Sequence, residues 1–296
     1  MLEFWLLSFL APVTLAIGNL VDNHLLHRAI RDPVTYDIIT IIPTPIFAGM
    51  IFLSTRVSAS TVAIAAGTAI GLSFAFMWVL YDVGMMKEEG TSVVSIVYTI
   101  PLYVSILSWV FLGEVLTPIN YAGIVMLLFS VLLVFYKRTS HNALLLALAY
   151  AVFGAVTRVV SKPVLGQVDV WSYLFWVVVG QCIGALALSC WPSYRVRLRK
   201  SIRSLKPVTT LLVVTTASAT FGGYFFLYSA ISLGPVALAS GITAVQPFIL
   251  LVYSTFVLWR WPGSLPVDEI ADRYSSIRKV IAAALIIAGT AALTGI

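Results

Sequence analysis

The chain has 296 residues, 60% of them apolar and 10% charged, with a mean hydropathy of +1.00 and a net charge of +6. Soluble globular domains carry about 25% charged residues, so this composition excludes one and describes a polytopic membrane protein. The basic excess sits in loops between apolar runs, which argues for an orientation signal and against nucleic acid as a partner.

The first apolar run, Phe4–Leu26, continues well past a signal-peptide core of about 7–15 residues and follows no basic residue, so it is expected to stay as a span. It holds Asn19, Asp22, Asn23 and His24, and ionisable groups inside a bilayer are functional candidates by default. Asn19 and Asp22 are expected in a cytoplasm-side vestibule, as gating or coupling groups. The second and third spans are Tyr36–Leu53 and Ser60–Met85. In the third, Trp78 and Tyr81 share a helix face, and Gly67 with Gly71 forms a GxxxG motif read as helix packing.

Between Lys87 and Tyr136 lie two uncharged runs, Thr91–Leu112 and Ile119–Tyr136, joined only by GEVLTP. So short a link demands a tight turn at Gly113 and Pro118. Pro101, near the centre of the fourth span, removes a backbone donor and marks a helix break flanked by Tyr98, Thr99 and Tyr103. Glu114 reads as a cap or inter-helix contact, and Asp82, Lys87, Glu88 and Glu89 as a solvated loop.

The second half continues with Ala143–Val160, Val170–Trp191, Val208–Ser232, Pro235–Trp259 and Lys279–Thr294, which completes ten spans. Arg158 and Lys162, late in the sixth helix, are expected in an external vestibule; snorkelling is the alternative for Lys162. Asp22 and Arg158 should lie about 20 Å apart along the membrane normal and not touch. In the seventh span Gly180 and Gly184 repeat the GxxxG motif, and Cys182 and Cys190 are too far apart for a disulfide. Arg195–Lys206 is a basic amphipathic stretch suited to an anionic leaflet, and Pro266–Lys279 a candidate surface helix. Tyr224, Phe225 and Tyr228 in the eighth span could line a pocket, or, for Tyr81 and Tyr228, sit in an interfacial belt. Pro247 in the ninth is the second expected helix break, beside Ser240, Thr243 and Gln246.

Internal repetition organises these spans. GLSFAFMWVLY (Gly71–Tyr81) aligns with SATFGGYFFLY (Ser218–Tyr228) at an offset of 147, and TYDII (Thr35–Ile39) with SYLFW (Ser172–Trp176) at 137. Residues 1–138 and 139–296 are therefore expected to be two five-helix repeats. Five is odd, so the second repeat enters from the opposite face, and a pocket is expected at the midplane between the third, fourth, eighth and ninth helices. Its candidate substrate-binding residues are Trp78, Tyr98, Thr99, Tyr103, Tyr224, Thr243 and Gln246.

The run from Lys87 to Leu133, with Pro101, LGE at Leu112–Glu114 and Gly123, resembles the end of an EamA-type repeat of the drug/metabolite transporter superfamily. Gly234-Pro235, Ala237–Gly241, Pro247 and Ala288-Gly289 extend the likeness through the second half. The resemblance implies a secondary transporter of a small organic metabolite such as an amino acid, amine or sugar derivative, with export favoured and H+ or Na+ as candidate coupling ions. A flippase for a lipid-linked sugar or polyprenyl phosphate is one alternative, with Arg158 and Lys162 holding phosphate. A non-transporting scaffold or channel is the other.

Two features depart from the family pattern. Arg260 stands where the first repeat has Glu114, and fifteen of the eighteen Lys and Arg residues fall on the side opposite the N-terminus. The positive-inside rule then puts both termini outside the cytoplasm, in a plasma (inner) membrane protein. An enzyme is not expected. His27 and Asp32 make a lone HxxxxD, no GxSxG, HExxH, CxxC or phosphate-cradling loop is present, and neither metal nor cofactor is implied.

Overall fold

In the computed structural model the described residues, 2–87, 97–135, 141–260 and 275–294, are helical and connected by short turns. Helix α1 (Leu2–His24) runs on into a π-helical turn, Leu25–Ala29. Helices α2 (Pro33–Ile41) and α3 (Thr44–Ser54) form one span broken at Ile42-Pro43. Then follow α4 (Thr61–Lys87), α5 (Ile100–Leu112), α6 (Pro118–Phe135), α7 (His141–Leu165), α8 (Val170–Ser189), α9 (Pro192–Ser204), α10 (Pro207–Leu233), α11 (Val236–Thr243), α12 (Gln246–Arg260) and α13 (Ser275–Thr294).

Among the described residues seven segments are long and apolar enough to cross a membrane: α1, α2 with α3, α4, α7, α8, α10, and α11 with α12. Helix α5, most of α6 and the end of α13 are shorter apolar helices at the places of the expected fourth, fifth and tenth spans. The start of the fourth span, Glu88 and Glu89, and most of Pro266–Lys279 lie outside the described residues. In a bilayer the helix is forced on such runs, because hydrocarbon offers no partner for a free N–H or C=O.

Local chemistry sets the ends. Gly113 closes α5 at φ +66, a left-handed conformation open to glycine, and lets Glu114 N–H reach back to Ser108 O at 3.2 Å. Pro33, Pro192 and Pro207 each sit in a first turn, where the missing N–H costs nothing. Asp32 caps α2 by accepting from Thr35 N–H at 2.9 Å and also binds Arg197 of α9 at 2.7 Å, so the aspartate of the HxxxxD pair is structural. Asp169 caps α8 through the Ser172 N–H (2.9 Å) and hydroxyl (2.7 Å). Partial burial pushes its carboxyl up, but these donors outweigh it and hold it below the usual range. Helix α9 has no buried residue and carries Arg195, Arg197, Arg199, Lys200 and Arg203.

Packing follows the small residues. On α4, a Cβ at Gly71 would stand 1.9 Å from Val177 O of α8; on α8, one at Gly180 would stand 2.2 Å from Thr68 O of α4. The two GxxxG motifs are thus the two sides of one backbone-to-backbone contact. Gly123 of α6 and Gly289 of α13 meet in the same way, each facing the other's carbonyl at 2.8 and 2.9 Å from an added Cβ. Helix α1 lies along α10, α5 along α7, and α1 also against α11 and α12.

One end of the bundle is tied by polar contacts. Glu114 accepts the Val236 N–H with both carboxylate oxygens, at 3.2 and 3.0 Å, and so caps α11 from the α5–α6 turn. Lys162 donates to Ile231 O (2.7 Å) and Gly234 O (2.8 Å) at the end of α10. Its ammonium serves backbone carbonyls, which leaves it poorly placed to hold the phosphate of a lipid-linked substrate.

Candidate functional site

Both prolines expected to break helices stand at the second position of one: Pro101 in α5 after a turn at Tyr98-Thr99, and Pro247 in α12 after a turn at Ala244-Val245. Each break is held by a side chain from the opening helix of its half. Asn19 of α1 donates to the Tyr98 hydroxyl at 3.1 Å, and Arg158 of α7 donates to the Thr243 hydroxyl at 3.2 Å.

These four side chains line one cavity of about 180 Å³, with walls from α1, α2, α4, α7, α8 and α10 as well as from the two breaks. The expected four-helix pocket is therefore too narrow a description. The cavity lies toward the C-terminal halves of α1 and α4 and contains Asp22, Arg158, Trp78, Tyr224, Pro101 and Gln246. Asp22 and Arg158 form no ion pair, yet both belong to this one cavity, where separate vestibules were expected. Thr99, Tyr103 and Pro247 are not on its wall; Tyr103 packs half-buried against the core, and Pro247 is buried behind the break.

Aromatic rings form one side. Phe74, Trp78 and Tyr224 are mutually stacked or tilted with centroids 5.5 to 6.3 Å apart, Tyr224 stacks on Tyr228 at 5.8 Å, and Tyr81 meets Tyr150 at 5.0 Å. Tyr228 is 1% exposed, so the interfacial-belt alternative fails for it. Tyr81 is half-buried on the cavity wall.

The acidic side was largely missed. Asp37 and Asp82 are 2% and 4% exposed, line the cavity, and stand next to each other. Asp22 stands beside them and accepts from the Tyr36 and Thr216 hydroxyls. The solvated-loop expectation for Asp82 is thus wrong: the residue sits inside α4, four positions beyond Trp78 and on the same face. Asp37 could have been flagged as an acid one residue into an apolar span. No group of three His, Cys, Asp or Glu suited to a metal ion occurs among the described residues.

The family model for EamA-like transporters matches residues 4–136 and 141–266. The chain belongs to the EamA-like transporter family. That membership, within the drug/metabolite transporter superfamily, makes this a membrane transporter by family and gives the cavity its context. A solved crystal structure aligns with 98% of this EamA-like chain and 95% of its own at a TM-score of 0.71, and at 18% identity that likeness speaks to the fold alone. No curated protein matches.

Proposed function

We propose that the protein is a secondary carrier of a small organic metabolite, built from two inverted five-helix halves that alternate around the cavity. The observation that carries this reading is that both halves contribute a broken helix to one cavity, each break held by its own half's opening helix. The packing supports the two-fold relation. If α1 corresponds to α7, α2 with α3 to α8, α4 to α10, α5 to α11 with α12, and α6 to α13, each main contact has its counterpart: α1–α10 with α4–α7, α4–α8 with α10–α2, and α5–α7 with α1–α12. The pairs α6–α13, α5–α11 and α2–α8 map onto themselves, and Gly123 meets its counterpart Gly289. Two family matches of similar length support the same division.

The carrier works without an enzymatic step, in a plasma (inner) membrane, with termini outside the cytoplasm by the Lys and Arg count. Substrate is held between the aromatic wall and the Asn19–Tyr98 and Arg158–Thr243 contacts, and export is the favoured direction. The end tied by Glu114 and Lys162 is the closed one. In proteoliposomes, a panel of amino acids, amines, nucleotide sugars and polyprenyl phosphates should yield at least one compound with saturable counterflow. Absence of counterflow across the panel would favour a scaffold or channel.

A further inference from the structure

Three carboxyls share the cavity, and they are not alike. Asp22 accepts two O–H donors, from Tyr36 and Thr216, both on Oδ1, and these contacts favour its carboxylate form. Asp37 and Asp82 have each other. An ionised carboxylate only accepts hydrogen bonds, so two neighbouring carboxyls can bond to each other only through a proton held on one of them. Asp37 Oδ2 is buried and receives no hydrogen bond from any N–H or O–H donor, although its side chain lines the cavity.

Among the described residues no cation offsets this pair. The charged and titratable groups described on the same wall are Asp22 from α1, Tyr36 from α2, Tyr81 from α4, Tyr98 before α5, Tyr150 and Arg158 from α7, and Tyr224 and Tyr228 from α10. From α8 comes Gln181, with Cys182 turned to Thr44, and from α10 Thr216, none of them charged. Among the described residues Arg158 is the only Lys or Arg on the cavity wall, and it is directed to Thr243 at the second helix break. Arg197 of α9 is held by Asp32 outside the cavity. Two buried carboxyls in contact cannot both ionise at ordinary pH without such an offset.

We propose that Asp37 and Asp82 together form the proton-binding site that couples transport, one exchangeable proton being held between the two carboxyls and released when the cavity changes the side to which it opens. This rests on the carrier reading above and moves the coupling role from Asp22 to the pair. The atoms balance simply: as the cavity opens and water enters, one O–H bond breaks, the proton passes to that water, and the water solvates the second carboxylate until the next proton arrives.

The test has two readouts on the full-length protein. Infrared difference spectra of the wild type at neutral pH should show a carbonyl band of a protonated carboxyl that shifts in D2O. Asp37→Asn and Asp82→Asn should each abolish it, and Asp22→Asn should retain it. In proteoliposomes given a compound that shows counterflow, a transmembrane pH gradient of one unit should drive net flux in the wild type until that compound is accumulated several-fold, toward a limit of about tenfold for one proton per substrate. In Asp37→Asn and Asp82→Asn the transport that remains should no longer respond to the gradient, which a purely structural role for either residue would not produce. Absence of the infrared band in the wild type, flux indifferent to the pH gradient, or flux driven by a sodium gradient in its place would each overturn the proposal. Wild-type protein alone decides those three, so a variant that fails to fold leaves the test intact. In the wild type, counterflow with a net flux that ignores the pH gradient refutes the proton site and keeps the carrier; no counterflow with any compound refutes the carrier itself.

Discussion

Gly71→Val is expected to abolish folded protein or to lower its melting temperature in detergent more than any other single substitution in the bundle. The new Cβ would stand 1.9 Å from Val177 O, 2.8 Å from Val177 C and 2.9 Å from Gln181 N, all backbone atoms of α8 that no rotamer change can move. Helices α4 and α8 would have to separate along their whole contact, and Gly180 on the facing surface would lose its own close approach to Thr68. Overpacking a tight contact costs about 1–3 kcal/mol and occasionally more, against a total stability of roughly 5–15 kcal/mol for a folded domain. An immovable backbone neighbour puts Gly71→Val at the upper end of that cost. Gly49→Val is the control, because a Cβ there meets nothing within 4 Å. A wild-type melting curve for Gly71→Val would show the two GxxxG motifs to be apart.

Arg158→Ala is expected to remove transport while leaving the fold in place. The guanidinium hydrogen-bonds Thr243 at the end of α11 and is, among the described residues, the one Lys or Arg side chain on the cavity wall, so its loss releases the second break and changes the charge that substrate meets. Counterflow should fall at least about tenfold, which corresponds to about 1.4 kcal/mol at the transition state for translocation. Stability should change little or rise, since a partly buried charge brings a desolvation cost that alanine does not have. Arg158→Lys should fall between, because a lysine keeps the charge and loses the planar fork. Asn19→Ala, at the matching contact with Tyr98, removes a neutral hydrogen bond and should have the smaller effect. Loss of folded protein in Arg158→Ala, with transport by the surviving fraction unchanged, would assign Arg158 a structural role only.

What could be read from the sequence was what depends on local chemistry. Pro101 and Pro247 mark helix breaks because a missing N–H acts on its own helix whatever surrounds it. Gly67, Gly71, Gly180 and Gly184 signalled close approach by spacing alone, although nothing in the spacing said that one pair would meet the other. Glu114 could be read as a cap from its place at a turn, but not that it would cap α11, more than a hundred residues away. Asp37 and Asp82 were hidden for a tertiary reason. An acid near the end of a span is equally consistent with an interface, and only the packing of α2 against α4 turns both inward. Asp82 was further masked by Lys87, Glu88 and Glu89, which gave the segment the composition of a loop. Arg158 was expected to open on the outside because its depth was counted along one helix, without the cavity that reaches to it from the other end.

Alternation of the cavity between the two sides is tested most directly by thiol accessibility at the second break. With Cys182 and Cys190 replaced by serine, Gln246→Cys places a single thiol on the cavity wall, where Gln246 is buried beside the α11–α12 turn. In sealed, oriented vesicles a membrane-impermeant thiol reagent should label it when added to either side, and a transported compound should speed labelling from one side as it slows labelling from the other. Labelling from a single side under every condition would mean a cavity with one mouth, and the carrier account could not stand.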